Sequence, residues 1–216
     1  LRKNFMTPAL AGRAFLFSWP VAMTTWMEPL SYTGFFRIST ADAVTRATPL
    51  ADMAGGKLPE GITLLQSFLG QVGGSLGEIS TFALLLGAVY LLIRRIITLR
   101  IPLSFLLTVA VLSFLFPQGN PRLLWTGWQL CSGGVILGAF FMATDYVTSP
   151  VNPRAQIVYG VGCGLLTVFI RWFGAYAEGV SYAILIMNAT VWLLDKALPR
   201  KRFGAVKEKK AKEAAK

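Results

Sequence analysis

Long apolar runs separated by short polar connections make up most of the chain. A helix that crosses a membrane needs roughly 20 consecutive apolar residues, and six of these runs approach that length. We therefore predict an all-α polytopic membrane protein with six spans. The predicted spans are residues 9–26, 78–93, 102–116, 124–143, 156–176 and 179–194.

One long hydrophilic connection, residues 27–77, interrupts this pattern and is rich in Gly, Pro, Ser and Thr. It contains a half-apolar piece, Ile62–Phe68, which is too short to span a bilayer and fits an interfacial or re-entrant helix. Pro8 suits the start of the first helix, because the N–H that proline lacks has no helical partner there. Residues 201–216 form a charged tail for which we predict disorder.

The composition agrees with a membrane protein. The chain is 54% hydrophobic with a mean hydropathy of +0.56 and is 14% charged, whereas soluble domains are about 25% charged. The chain has no histidine, which excludes metal sites with histidine ligands and acid–base catalysis by a histidine side chain. Cys131 and Cys163 lie inside apolar runs without a CxxC motif, so we expect two packed thiols and no metal site.

The net charge of +11 lies in the connections and the tail, a pattern that favours membrane loops over a nucleic-acid surface. If the N-terminus lies inside, the inner segments hold 16 basic residues, one of which is Arg13. Seven of these 16 lie in the tail. The outer segments hold five basic residues. Cytoplasmic loops carry such an excess, so we place connection 27–77 outside and the tail in the cytoplasm. The outer five are Arg37, Arg46, Lys57, Arg122 and Arg171.

The hydrophilic connection includes the segment Asp42–Leu50, D-A-V-T-R-A-T-P-L, with small residues around Thr48. A threonine hydroxyl is a weak nucleophile that needs an activating base, and the chain has no histidine to provide one. Catalysis by Thr48 alone is therefore disfavoured, whereas modification by another enzyme requires access alone. From the residues themselves, a turn with an Asx or Ser/Thr motif is the favoured interpretation.

The same segment resembles the flavinylation signature of the RnfD/NqrB family, which comprises the D component of the Rnf ion-translocating complex and the B component of the sodium-translocating NADH:quinone reductase. In that family a separate flavin transferase joins FMN to the signature threonine through a phosphoester bond, which implies covalent FMN on Thr48. Arg46 stands where a glycine is usual. Arg37, Arg46 and Lys57 are candidates for stabilising the FMN phosphate or the reduced flavin. The matching residues are Asp42, Thr45, Ala47, Thr48, Pro49 and Leu50.

Two further segments resemble the same family. Residues 74–80 are similar to its G-x-x-G-E-x-S segment, in which Gly77, Glu78 and Ser80 are candidates for contacting the FMN. Capping of the following helix by Glu78 and Ser80 is an equally good interpretation. Residues 178–188 resemble the closing span, where Glu178 and Asn188 are candidates for an ion path; a helix start is favoured for Glu178.

The resemblance also implies a second, non-covalent flavin. Asn4 and Thr7 match positions that hold riboflavin in the quinone-reductase relative, although an asparagine is usual at the position of Thr7. The stretch from Ser132 to Pro150 is the part most specific to the family, and it contributes Thr144 and Asp145 as further candidates. We expect these residues at the inner side of the membrane, opposite Thr48.

The resemblance covers Asn4 to about Leu198 and implies an inverted-repeat architecture similar to that of urea transporters. It leaves out the family's N-terminal helices, so we expect the natural protein to continue upstream of Leu1. The implied partners are an outer flavoprotein subunit, other membrane subunits, soluble iron–sulfur and flavin subunits, and the flavin transferase. The alternative is a transporter or channel of the same architecture with no redox role.

Overall fold

The computed structural model describes residues 6–17, 19, 49–59, 61–72, 80–174 and 178–199. Within these ranges every regular element is helical and no strand occurs, which confirms an all-helical fold. The predicted span 9–26 from residue 20 onward, the connection before Pro49 and the tail 201–216 lie outside the described residues.

Nine helices are present in the described part of the chain. In the seventh of them, Val135–Met142, the last residues Gly138–Met142 form a π-helical turn that closes with Ala143 N–H donating to the carbonyl of Gly138 at 2.7 Å. The helices are α1 Pro8–Phe17, α2 Pro49–Ala54, α3 Leu64–Leu69, α4 Thr81–Ile93, α5 Arg100–Leu115, α6 Arg122–Cys131, α7 Val135–Met142, α8 Pro153–Phe173 and α9 Val180–Ala197.

The predicted span 124–143 is divided in the structure. Helix α6 ends at Cys131, α7 begins at Val135, and the two axes are bent by 60°. Gly133 between them has φ of +69°, a left-handed conformation that glycine adopts readily and that ends a helix. An apolar run that is continuous in sequence therefore contains a break, because two adjacent glycines interrupt it.

The other predicted segments correspond to helices α4, α5, α8 and α9, with ends shifted by one to three residues. Of the described helices, α8 is long and apolar enough to cross a membrane, and the bent pair α6–α7 passes the same test if it forms one broken span. Helices α4 and α5 are apolar but shorter. The half-apolar piece Ile62–Phe68 contains α3, which begins with a capping box between Thr63 and Gln66.

Helix α8 packs closely on α5 because glycines face the partner helix. A Cβ atom at Gly164 would lie 2.7 Å from Thr108 Cβ and 2.9 Å from the carbonyl oxygen of Phe105, and one at Gly160 would contact Ser104. Small residues four apart allow two helix backbones to approach each other. The pair α5–α8, with α9 packed on the other side of α8, forms the centre of the bundle.

Two apolar clusters hold the elements together. The larger one contains buried residues of α4, α5, α7, α8 and α9, together with Leu10 of α1. The smaller one consists of Met53 of α2 with Trp125 and Trp128 of α6, and it is covered by Leu58, Ile62 and Leu64. The second cluster fixes α2 on the bundle at the level of the α6 helix.

We predict that Gly164→Ala lowers the free energy of unfolding by about 1–3 kcal/mol, because the added methyl group meets backbone and Cβ atoms of α5 that cannot move away cheaply. Thermal unfolding of the purified protein in detergent, followed by tryptophan fluorescence, measures the effect.

The matched control is Gly162→Ala in the same helix. Its Cβ atom would meet the end of the Met187 side chain at 2.6 Å, which is flexible and can rotate away. We expect a smaller loss of stability for this variant. Equal losses for the two substitutions would contradict close α5–α8 packing through Gly164.

Candidate functional site

Helix α2 starts directly after Thr48, and its position is well defined. Leu50 and Met53 are 7% and 1% exposed, and Met53 packs into the cluster formed with Trp125 and Trp128. The side chain of Leu50 reaches the helix break, where a Cβ atom at Gly133 would lie 2.9 Å from Leu50 Cδ2. The residues that follow the predicted flavin acceptor are therefore anchored on the break between α6 and α7.

Arg171, in the last turn of α8, is the buried cation at this break. Its side chain is 6% exposed; Nη1 donates to the carbonyl and to Oε1 of Gln129 at 2.8 and 2.6 Å, and Nη2 donates to the carbonyl of Ser132 at 3.0 Å. The last carbonyls of a helix have no helical partner. Arg171 therefore stabilises the end of α6 by binding them.

A small cleft, with room for about one water molecule, lies between α2 and this arginine. Its walls combine apolar side chains of α2 and α8 with polar groups from α6 and the connection that precedes it. The cleft is far smaller than the roughly 300–1,000 Å³ pockets that enclose small molecules, so by itself it can hold only a small group. The lining residues are Leu50, Met53, Ala54, Gln118, Gln129, Arg171 and Trp172.

A second charged contact lies next to the same break. Arg13 Nη2 donates to both carboxylate oxygens of Glu178, at 2.8 and 3.0 Å, and the two side chains are 15% and 11% exposed. The carboxylate also lies close to Gly133, since a Cβ atom there would be 3.9 Å from Glu178 Cγ. An ion pair that is this well shielded from water ties α1 to the residues before α9.

This ion pair differs from the charge count, which assigned Arg13 to the inner side and Glu178 to the outer side. Helix α1 runs antiparallel to α9, from Thr7 beside Asn188 to Ala14, whose carbonyl accepts from Tyr182 Oη at 3.3 Å. Ten residues of helix span only about 15 Å. Arg13 therefore lies at the same end of α9 as Glu178, because α1 begins halfway along α9.

A chain of hydrogen bonds connects five buried or half-buried side chains near the middle of α9. Tyr159 Oη donates to Asn188 Oδ1 at 2.5 Å, and Asn188 Nδ2 donates to Thr7 Oγ1 at 3.2 Å. Thr7 Oγ1 lies 3.2 Å from Thr148 Oγ1, which donates to Asp145 Oδ2 at 3.1 Å. Because Thr148 uses its one proton on the carboxylate, Thr7 is the donor between the two threonines.

The structure brings some of the sequence-predicted residues together and separates others. Thr7, Asp145 and Asn188 share the hydrogen-bonded chain, whereas Thr144 Oγ1 donates to its own helix, to the carbonyl of Phe140 at 2.6 Å. Ser80 accepts from the N–H of Ala83 at 3.3 Å and caps α4. The predicted residues outside the described ranges are Asn4, Asp42, Thr45, Arg46, Ala47, Thr48, Gly77 and Glu78.

Sequence reasoning did not single out Arg171, Gln129, Thr148 or Tyr159. Arg171 had a usable signal, since it is a cation next to Ile170 and Trp172 in an apolar run, and such charges usually face a protein interior. Thr148 also had one, since it lies in the family-specific stretch three residues after Asp145. Tyr159 had none, because its partner Asn188 is distant in sequence.

Comparison with known proteins identifies the family. The sequence model of the NQR2, RnfD, RnfE family matches residues 1–204. The chain belongs to this family.

Its similar relatives include two proteins named as the D components of ferredoxin:NAD(+) oxidoreductase complexes. One, from the Na(+)-translocating complex of Acetobacterium woodii, is 45% identical over 99% of this chain and 64% of its own length. The other, from the proton-translocating complex of Clostridium ljungdahlii, is 43% identical over 94% of the chain and 62% of its own length. The chain thus spans less than two thirds of these relatives.

A more distant relative is the B component of the Na(+)-translocating NADH-quinone reductase of Chromohalobacter salexigens. It is 36% identical over 89% of this chain and 47% of its own length. Both branches named by the sequence resemblance are therefore found among the relatives.

We predict that Asn188→Leu lowers the free energy of unfolding by about 1–3 kcal/mol, because it removes the acceptor of the buried Tyr159 hydroxyl and the amide donor to Thr7. Thr190→Val is the control in the same helix, since Thr190 Oγ1 donates to the carbonyl of Met187 in its own helix at 2.8 Å. Thermal unfolding of both variants checks the difference. A loss for Asn188→Leu no larger than for Thr190→Val would contradict the hydrogen-bonded chain.

We predict that Arg13→Gln and Glu178→Gln each destabilise the protein, because breaking a shielded ion pair leaves one charge without its partner. The double substitution is expected to cost less than the two single costs added together, since neither charge is then left behind. A double-mutant cycle of unfolding free energies measures the coupling, and additive losses would show that the pair does not form.

Proposed function

We propose that the chain is part of a membrane subunit of an Rnf-type ion-translocating ferredoxin:NAD+ oxidoreductase and that it carries FMN covalently on Thr48. In this role it passes electrons within a larger complex whose electron flow drives Na+ or H+ movement. It acts as an electron carrier and not as a catalyst by itself. Family membership and the names of the Acetobacterium and Clostridium relatives support the assignment.

The observation that carries the proposal is the signature Asp42–Leu50, which ends in the first two residues of α2. The end of the signature, Pro49 and Leu50, is buried, so the acceptor directly before it is tethered to a fixed helix. An acceptor threonine needs an accessible hydroxyl and no catalytic neighbours of its own. The lack of any histidine in the chain is consistent with attachment by a separate flavin transferase.

The residues around α2 fit part of such a flavin. Arg171 supplies positive charge for a phosphate, Gln118 and Gln129 supply amide groups, and Leu50, Met53 and Trp172 supply apolar walls. The cleft has room for about one water molecule, far less than the roughly 300 Å³ of sites that enclose a small molecule, so the isoalloxazine ring would lie outside it. A bound flavin supplies reversible electron uptake, and the protein contributes position and electrostatics.

The polar chain around Thr7 is the proposed place of a second flavin, riboflavin, together with Asn4, Thr144 and Asp145. Its hydroxyl, amide and carboxylate groups match the donors and acceptors that a ribityl chain needs. Asn188 in this chain is also the better of the two ion-path candidates. Glu178 is the weaker one, because its carboxylate is bound by Arg13.

The proposed setting is the cytoplasmic membrane of a bacterium or archaeon, with six spans in this chain as part of an inverted-repeat architecture. The Thr48 connection faces outward and the tail 201–216 faces the cytoplasm. Partners are an outer flavoprotein subunit, further membrane subunits, and soluble iron–sulfur and flavin subunits that exchange electrons with the carriers held here. The sequence has no G-x-G-x-x-G motif and no cysteine cluster, which supports the need for these partners.

A transporter or channel of the same architecture without a redox role is the second candidate. The broken helix pair α6–α7 favours it, since transporters often place binding sites at discontinuous helices. The two functions differ in whether Thr48 is modified.

We predict that the protein, co-expressed with a flavin transferase, gives a fluorescent flavin band in a denaturing gel and that Thr48→Val abolishes the band. A covalent bond survives denaturation, whereas bound free flavin is lost. Thr126→Val, on α6 and outside the signature, is the control and retains the band.

A band that persists in Thr48→Val would overturn the assignment of the acceptor. No band in the unsubstituted protein, with a transferase shown to be active on another substrate, would favour the transporter function.

A further inference from the structure

We propose that the turn between α4 and α5 binds the headgroup of an anionic phospholipid, whose acyl chains cover the exposed apolar faces of these two helices. Residues 94–100, called the arginine connection below, join the end of α4 to the first residue of α5 and contain Arg94, Arg95 and Arg100. Lipid binding here needs no flavin on Thr48 and is separate from the electron-carrying role.

The arginine connection lies at the end of the helix bundle where positive charge collects. Helices α5 and α8 run parallel, because successive glycines of α8 face successive turns of α5. Helix α9 returns to the start of α8, where Asn152 Nδ2 donates to the carbonyl of Leu198 at 2.8 Å. Among the described residues at this end, the acidic side chains are Asp145 and Asp195, and the basic ones are Arg94, Arg95, Arg100, Arg154 and Lys196.

The three arginine side chains of the connection are exposed and open to a ligand. Within the described part of the chain, none of their guanidinium groups has an ion pair or a hydrogen bond. The two carboxylates at this end have other partners, since Asp145 accepts from Thr148 at 3.1 Å and Asp195 accepts from the N–H of Val151 at 3.3 Å. The surplus of positive charge is therefore suited to an anion.

The backbone of the arginine connection has a conformation that usually selects glycine. The N–H of Ile96 donates to the carbonyl of Leu91 and that of Arg95 to the carbonyl of Leu92, both at 2.9 Å, which forms a Schellman motif. Arg95 occupies the left-handed position of this motif, with φ of +53°. Glycine adopts this conformation at lower cost than a residue with a Cβ atom. The local fold thus gains nothing from an arginine here, which fits a role of its side chain in binding.

The helix faces beside the arginines are apolar and uncovered. Ile93 and Leu99, at either end of the connection, are 73% and 51% exposed. Helices α4 and α5 do not pack along each other, because α4 packs on α3 and α7, whereas α5 packs on α6, α7 and α8. Exposed apolar surface of this extent marks contact with lipid or with a partner. The exposed side chains that continue these faces are Phe82, Leu86, Val89 and Tyr90 of α4 and Leu103, Leu107, Val111 and Phe114 of α5.

A phospholipid complements both surfaces at once. A phosphodiester has one negative charge, and the planar fork of a guanidinium donates paired hydrogen bonds to phosphate oxygens. The acyl chains cover the apolar faces of α4 and α5, which the acidic face of a soluble protein would leave bare. A zwitterionic headgroup adds a cation that the positive surplus repels, so the lipid is an anionic one.

Aromatic side chains at this end support its position at the membrane surface. Tyr146 and Trp192 are 69% and 68% exposed, and such residues are enriched where the membrane meets water. Tyr146 Oη donates to the carbonyl of Ile96, and Lys196 Nζ lies 5.6 Å from the centre of the Trp192 ring. The first contact holds the arginine connection at the level of an interfacial tyrosine.

The test uses the full-length protein, freed of lipid in detergent and supplied with an equimolar mixture of phosphatidylglycerol and phosphatidylcholine. Native mass spectrometry measures how much of each lipid the protein retains, and thermal unfolding measures Tm with and without lipid. The variants are the triple substitution Arg94→Gln, Arg95→Gln and Arg100→Gln, and the single substitution Arg95→Gly. Arg122→Gln is the control, because Arg122 is an exposed arginine at the start of α6, at the opposite end of the bundle.

We expect the unsubstituted protein to retain phosphatidylglycerol in preference to phosphatidylcholine. Each arginine removed is expected to weaken this retention by about fivefold, the effect of one basic residue at an anionic membrane surface. The triple variant therefore loses the preference, and Arg122→Gln keeps it. In Arg95→Gly we expect an equal or higher Tm without lipid, since glycine suits the left-handed backbone, together with weaker retention of phosphatidylglycerol.

Equal retention of the two lipids by the unsubstituted protein would overturn the proposal, as would a triple variant that keeps the full preference. Unchanged retention in Arg95→Gly would show that this side chain takes no part. If the triple variant binds phosphatidylglycerol normally but its complex loses a soluble subunit on purification, the arginines bind a protein and the lipid site is wrong. Mass spectrometry of the Thr48 peptide tests the flavin separately, so the two proposals fail independently.

Discussion

The hydrogen bonds of the Arg171 guanidinium to the end of α6 are the contact on which this end of the molecule depends. Helix α6 stops at a pair of glycines, and its last carbonyls would otherwise be buried without donors, at a cost of about 1–3 kcal/mol each. Arg171 donates to the carbonyls of Gln129 and Ser132. The satisfied break then provides the surface on which Leu50, and with it α2, is seated.

Helix α1 connects the break between α6 and α7 to the polar chain in the middle of α9. Thr7, just before α1, belongs to the hydrogen-bonded chain with Asn188 and Thr148, and Arg13 in the same helix pairs with Glu178. Six residues of helix correspond to about 9 Å. The ion pair at Glu178 and the polar chain around Thr7 are therefore held at a fixed distance by one short helix.

The apolar pattern was sufficient to predict the helical class, the helix start at Pro8 and the positions of α4, α5, α8 and α9. The apolar pattern did not predict the break between α6 and α7. A hydrophobic run indicates which residues are buried, but it does not indicate the left-handed backbone conformation that Gly133 adopts. It also placed Arg13 and Glu178 on opposite faces, because a charge count assumes that each apolar run crosses the whole membrane. The Tyr159–Asn188 contact joins residues that only the tertiary packing brings together.

The chain belongs to the NQR2, RnfD, RnfE family, and its residues divide the work of such a protein in a simple way. In the proposed function, the hydroxyl of Thr48 accepts the flavin, and helix α2, which begins directly after Thr48, limits where the flavin lies. The most direct measurement is a cryo-EM structure of the flavin-loaded full-length protein in its complex. The proposed function predicts FMN density joined to Thr48. A complex without FMN on Thr48, or with FMN joined to another residue, would contradict it.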